Sequence, residues 1–242
     1  GCEDNSARVA RILHAVRDSP RFKSLGYKMP LDCYSQWLVA PGLQARAFWD
    51  VAEFPFLSSL AEEHEAIREE LEIVLRSHER WSLTTDHDLI VGFENGWTEH
   101  PLMWAGRPLE KACASFPKTC MLLTKMPEHV IIDIPTETDP AGQATIFRLS
   151  PGTKLKPHVG ATNRRLTAHL GLIVPEGPRL RVENETRTWD EGELLVFDDS
   201  FRHEVWWDSQ YENKDRYVLS FSFLHPDLWH QTMEDADEDE EL

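Results

Sequence analysis

The chain has 242 residues, 41% of them apolar and 10% aromatic, with a formal net charge of −17. That length can bury a full core in one domain, and the apolar content separates it from disordered chains. The acidic balance argues against nucleic acid, whose phosphates need clustered Lys and Arg. No run approaches the roughly 18–20 consecutive apolar residues of a membrane span.

In chain order, residues 5–18 are predicted to form an amphipathic helix. Val9, Ile12, Leu13 and Val16 fall on one stripe, Asn5 or Ser6 is placed to cap it, and Pro20 stops it. A lone helix of this kind normally packs on a neighbour, so residues 1–34 read as a helical lead-in, a candidate last piece of a longer helical region. The amino end lacks the apolar block of a secretory signal. It also begins without Met, which leaves open an upstream targeting or anchoring segment and the choice between cytoplasm and endoplasmic reticulum lumen. Pro30 to Pro55 reads as loop with short turns. From Leu57 to about Arg76 the pattern is helical again, burying Leu60, Ile67, Leu71 and Val74, with Glu62, Glu63, Glu65, Glu69 and Glu70 on a face read as solvated. Cys113 and Cys120 bracket CASFPKTC, a spacing that can close a small disulfide ring in an oxidising compartment. It does not suit zinc, since no second ligand pair stands nearby.

After about residue 118 short apolar runs alternate with turn signals. Strands are expected at Val130–Ile134, Thr145–Leu149, Leu166–Val174, Leu180–Glu183, Glu193–Phe197, His203–Trp207 and Tyr217–Phe223. Pro151-Gly152, Pro175-Glu176-Gly177, Glu191-Gly192 and Asp198-Asp199-Ser200 mark turns. Seven or eight short antiparallel strands without intervening helices predict a mainly β fold with flanking helices and a jelly-roll core. The last residues, 231–242, hold seven carboxylates within positions 234–241 and read as a solvated, self-repelling tail, which leaves a net charge of −10 on the body.

Two histidines stand out by position. His158 follows a Pro-Gly turn and a short extended stretch, SPGTKLKPHVGATN; His203 follows a strand and an acidic turn, GELLVFDDSFRHEVWW. A jelly roll can bring two such strands side by side, yet an imidazole pair suits iron, copper, nickel or zinc alike. Iron oxygenases commonly add a carboxylate to two His, and here the position two residues after the first His is Gly160. Two imidazoles and a chelating oxo-acid still leave room for oxygen. A 2-oxoglutarate site would need a cation for the far carboxylate. Arg216 suits that task, because guanidinium is always charged and grips carboxylate bidentately; taken alone it reads rather as an exposed strand-end arginine. Arg165 and His169 lie four apart on one strand and share a face.

PGTKLKPHVGATNRRLTAHLGLIVP and ENETRTWDEGELLVFDDSFRHEVWWD strongly resemble the aspartyl/asparaginyl β-hydroxylase family, and the similarity extends over roughly residues 35–230. The resemblance implies a double-stranded β-helix (cupin-like) catalytic domain and two His ligands with Gly160 where a carboxylate would stand. It implies iron(II), 2-oxoglutarate and O2 as cofactor and co-substrates. Matched residue by residue, His158 and His203 are the metal ligands. Arg216 pairs with the distal carboxylate of 2-oxoglutarate, His169 lies near its other carboxylate, and Arg165 holds an acidic substrate side chain. Cys113 and Cys120 match a pair that can form a disulfide. In two places the chain departs from the family: Thr167 stands where a second co-substrate arginine would be, and Phe147 where a serine would help hold the distal carboxylate. The function implied is hydroxylation of the β-carbon of Asp or Asn in a peptide or protein, with release of succinate and CO2. The alternatives are the same chemistry on a free amino acid or lipid acyl chain, and an inactive binding module.

Overall fold

The computed structural model describes residues 40, 42–77, 81–84, 89–92, 96–131, 141–160, 162–208 and 214–229; the expected helix over 5–18, the lead-in 1–34 and the acidic tail 231–242 lie outside them. Among the described residues β1 (Phe48–Trp49), β2 (Ser82–Leu83), β3 (Ile90–Val91), β4 (Trp97–Trp104) and β5 (Arg107–Pro108) precede the expected start of the sheet region. They are followed by β6 (Ala144–Leu149), β7 (Lys154–His158), β8 (Arg165–Ile173) and β9 (Arg179–Val182). The last four are β10 (Glu185–Arg187), β11 (Leu194–Phe197), β12 (His203–Trp206) and β13 (Arg216–Leu224).

One sheet runs β1-β11-β8-β13-β6-β4-β2 with β5 beside β4, and a second runs β10-β9-β12-β7-β3. The strand pairings are antiparallel. The sheets close on one core, to which the smaller contributes Leu155, Leu180, Val182 and Val205 and the larger Phe48, Trp97, Leu149, Phe197 and Val218. Two antiparallel sheets packed face to face with helices outside make the predicted jelly roll.

The helical layer consists of α1 (Ser58–Glu62), α2 (His64–Arg76), α3 (Glu110–Cys113), α4 (Pro117–Leu123) and α5 (Glu128–Ile131). It covers the outer face of the larger sheet, where Ile67, Leu71 and Val74 meet Leu166, Ala168, Leu170, Leu219, Phe221 and Phe223. β8 and β13 are therefore buried on both faces. Because side chains alternate along a strand, sending Leu166, Ala168 and Leu170 to the helices turns Arg165, Thr167 and His169 toward the space between the sheets. That parity positions the site. Among the described residues no helix is long and apolar enough to cross a membrane.

Three expectations change. Val130 belongs to helix α5, not to a strand: Pro127 and Glu128 start a helical turn in which Val130 N donates to Pro127 O at 3.1 Å. A short apolar run alone cannot separate the two states, and residues 132–134 lie outside the described set. β4 was hidden by Pro101, which sits where the register with β6 slips between Pro101 and Met103, a place where a sheet tolerates proline. The glutamate face of α2 is not uniformly solvated. Glu70 accepts from Lys118 N at 2.6 Å, Thr119 N at 3.0 Å and Thr119 Oγ1 at 2.7 Å, capping α4, and Glu63 meets Lys118 Nζ at 3.0 Å. Beside this contact the sulfurs of Cys113 and Cys120 are bonded, at 2.07 Å, joining α3 to α4.

Candidate active site

The pairing of β12 with β7 sets His203 opposite His158. The two imidazoles stand with ring centroids 4.1 Å apart and planes inclined at 54°. His203 is buried, and its ring also touches Phe197 at 6.0 Å between centroids. His158 Nδ1 lies 2.7 Å from Lys156 O, and His203 Nδ1 lies 2.9 Å from Phe201 O. A carbonyl oxygen only accepts, so in the neutral ring each Nδ1 carries the hydrogen and each Nε2 keeps its lone pair. Burial lowers the pKa of His203 from its ordinary value, against the opposing pull of backbone hydrogen bonds to Phe201 and Asp199. Neutral imidazoles fixed through Nδ1 are the usual form of metal-binding histidine.

Gly160 stands where the fold leaves no room for a side chain. A Cβ there would lie 2.6 Å from Asp199 Oδ1 and 2.7 Å from Asp199 Cγ. The Asp199 carboxylate fills the space that a side chain at 160 would need, and Gly160 N donates to Asp199 O at 2.7 Å. Asp199 Oδ2 pairs with Arg165 Nη2 at 3.2 Å and accepts from Thr167 Oγ1 at 3.3 Å. Its Oδ1 is buried without a hydrogen-bond partner among the described residues. Among those residues no group of three or more His, Cys, Asp or Glu is arranged to hold a metal ion, so the imidazole pair stands as a two-residue candidate.

On the facing sheet Arg216 is 3% exposed, and its Nε and Nη1 have no hydrogen-bond partner among the described residues. Burial pushes its pKa down to about 9. The guanidinium carbon lies 4.4 Å from the centre of the Trp189 ring. Trp189 Nε1 donates to His169 Nδ1 at 3.2 Å. His169 is held neutral: burial lowers its pKa well below the ordinary value, and Arg216 and His203 nearby lower it further. An orphaned buried guanidinium is costly unless something anionic arrives. This cradle fits a small ligand with a carboxylate. Phe147, opposite Val218 on the neighbouring strand, packs on Trp97 at 5.6 Å and offers no hydroxyl. A cleft of about 980 Å³, lined in part by Arg179, Arg187, Trp189 and Leu195, adjoins the site through Trp189.

The structure thus brings His158, His203, His169, Arg165, Thr167 and Arg216 to one interior, with the bonded Cys113–Cys120 pair on the helical side of the larger sheet. Sequence reasoning missed two residues. Asp199 was read only as part of a turn, although of two adjacent acids one suffices to cap it: Asp198 Oδ1 takes Ser200 N at 2.9 Å. Trp189 carried no signal of its own beyond being an aromatic in a turn-rich stretch.

Residues 61–226 match the family model of aspartyl/asparaginyl β-hydroxylase. The chain is 39% identical over 192 residues to the human protein named aspartyl/asparaginyl beta-hydroxylase, covering 77% of this chain and 24% of that protein. It is 32% identical over 187 residues to the ornithine lipid ester-linked acyl 2-hydroxylase of Rhizobium tropici, covering 74% of this chain and 60% of that one. With the mouse aspartate beta-hydroxylase domain-containing protein 2 it shares 29% over 188 residues, 74% of this chain and 53% of that one. The chain spans about a quarter of the length of the human relative. On the family-model match and the human similarity together, the chain belongs to the aspartyl/asparaginyl β-hydroxylase family.

Proposed function

We propose that this chain is an iron(II)- and 2-oxoglutarate-dependent dioxygenase that hydroxylates the β-carbon of aspartyl or asparaginyl side chains in a peptide or protein. The observation that carries the reading is Arg216, buried with Nε and Nη1 unpartnered among the described residues, together with His158 and His203, whose Nδ1 atoms face backbone carbonyls and leave each Nε2 as the basic nitrogen of its ring. His158 and His203 would hold the metal through those nitrogens. When bound, iron(II) supplies oxygen activation, in which 2-oxoglutarate and O2 give succinate, CO2 and one oxygen atom for a substrate C–H bond.

The protein's own part is to bind and orient. Arg216 offers its free N–H groups to the distal carboxylate, a charge-assisted pairing in a dry setting. His169, with Nδ1 occupied by Trp189, presents Nε2–H to the nearer carboxylate. Arg165 is the candidate clamp for an acidic substrate group; Asp199 holds it until a substrate carboxylate competes. Phe197, Val218, Phe147 and Trp97 line the interior with apolar surface that excludes water.

A second reading, hydroxylation of a lipid acyl chain, is favoured by Phe147, which puts an aromatic ring where a hydroxyl was expected, and by the 32% identity to an acyl hydroxylase. The purified chain should convert 2-oxoglutarate to succinate only with added iron(II). Asp-containing peptides should stimulate turnover, while acyl lipids and free amino acids should not. His203→Ala should lower that turnover at least about 100-fold by deleting a ligand. No succinate under any condition would identify a binding module and sink the proposal; stimulation by lipid alone would select the second reading.

A further inference from the structure

Trp189 is 4% exposed in the connection between β10 and β11. An indole N–H donates and never accepts. Its contact with His169 Nδ1, at 3.2 Å, therefore makes that nitrogen the acceptor and puts the hydrogen of the neutral ring on Nε2. The outcome is opposite to that at His158 and His203, whose Nδ1 atoms face carbonyls. The same indole lies 4.4 Å from the guanidinium carbon of Arg216. A π face attracts a cation without consuming a donor, and among the described residues Nε and Nη1 of Arg216 remain without a hydrogen-bond partner. A carboxylate in place of the indole would also steady the arginine, but it would occupy those donors and repel an arriving anion.

We propose that Trp189 is a positioning residue for the co-substrate, fixing the tautomer of His169 through its N–H and the place of Arg216 through its ring. This rests on the reading that 2-oxoglutarate binds at these two residues. One side chain thereby prepares both ends of a dicarboxylate site. Its own segment is pinned against β8, since a Cβ on Gly171 would lie 2.3 Å from Asp190 O and Gly192 N donates to Gly171 O at 2.9 Å.

The test uses the full chain and two measurements. Nitrogen-15 histidine spectra of the metal-free wild type, with His169 assigned through His169→Phe, should show His169 protonated on Nε2; protonation on Nδ1 overturns the proposal and requires no Trp variant to fold. Calorimetry of 2-oxoglutarate binding to the iron(II)-loaded protein without oxygen should show Trp189→Phe weakening affinity about 2–10-fold, as the loss of one hydrogen bond does. Trp189→Leu, which also removes the π face, should weaken it about 10–100-fold. KM for 2-oxoglutarate should rise more than kcat falls, and affinity for iron(II) should change less than either. On a His169→Phe background Trp189→Phe should add no further loss. Unchanged affinity in Trp189→Phe, with a wild type that binds, overturns the role alone. A wild type that binds no 2-oxoglutarate overturns the co-substrate reading and this role together.

Discussion

Arg216 is buried with two nitrogens, Nε and Nη1, that no described residue accepts from. A charged guanidinium lacking two hydrogen bonds inside the fold lowers stability, and its pKa of about 9, brought down by burial, expresses that cost. Because the folded value lies below the unfolded one, the penalty is fully present at neutral pH and is relieved only as pH rises past about 9. Arg216→Met should therefore stabilise the ligand-free protein by roughly 1–3 kcal/mol in a denaturant titration at neutral pH. It should also abolish the rise in melting temperature that 2-oxoglutarate gives the wild type. A variant that melts lower and still responds to 2-oxoglutarate would refute both halves. The sequence offered Arg216 as a candidate from its charge and its place in the family pattern; its isolation became visible only when β6, β8 and β13 were assembled around it.

At the scale of elements, the long strands β8 and β13 were legible because apolar residues recur at alternate positions, Leu166, Ala168, Leu170 and Leu172 in one and Tyr217, Leu219, Phe221 and Phe223 in the other. The two-residue strands β1, β2, β3 and β5 were not, since two residues carry no period. Helix α2 was found from its apolar stripe, but the stripe says nothing of what the opposite face meets. Glu70 illustrates the gap: it lies on the same charged side as Glu69, yet it closes the amino end of α4 by three hydrogen bonds across 48 and 49 residues of chain. Glu70→Ala should cost about 1–2 kcal/mol in unfolding free energy, in line with the loss of a helix cap. Glu69→Ala, exposed on the same helix, should cost at most about 0.5 kcal/mol. Equal effects of the two would refute the capping role.

For the molecule as a whole, His169 and His203 link folding to pH. Both take protons less readily in the folded protein than at the ordinary value of 6.5, with burial the leading cause in each. As pH falls through 6.5 the unfolded chain gains protons that the folded one refuses, so stability present above that pH is lost progressively below it. The melting temperature of the metal-free protein should fall between about pH 7.5 and pH 5.5, and His169→Phe should flatten the fall. A wild-type profile flat over that range, or one rising toward acid, would contradict the assignment.

The sequence by itself determined the jelly-roll class, through alternating runs closed by Pro, Gly and Asp turns. It also singled out the histidine pair and the strand face shared by Arg165 and His169, because strand parity is a local property that survives translation into three dimensions. Tertiary structure decided which neighbours complete the site. Asp199 fills the room beside Gly160, and Trp189 meets both His169 and Arg216. These contacts join positions between 20 and 39 residues apart on different strands and turns, where periodicity carries no information. Only the closing of two sheets over one core brings such side chains within reach of one another.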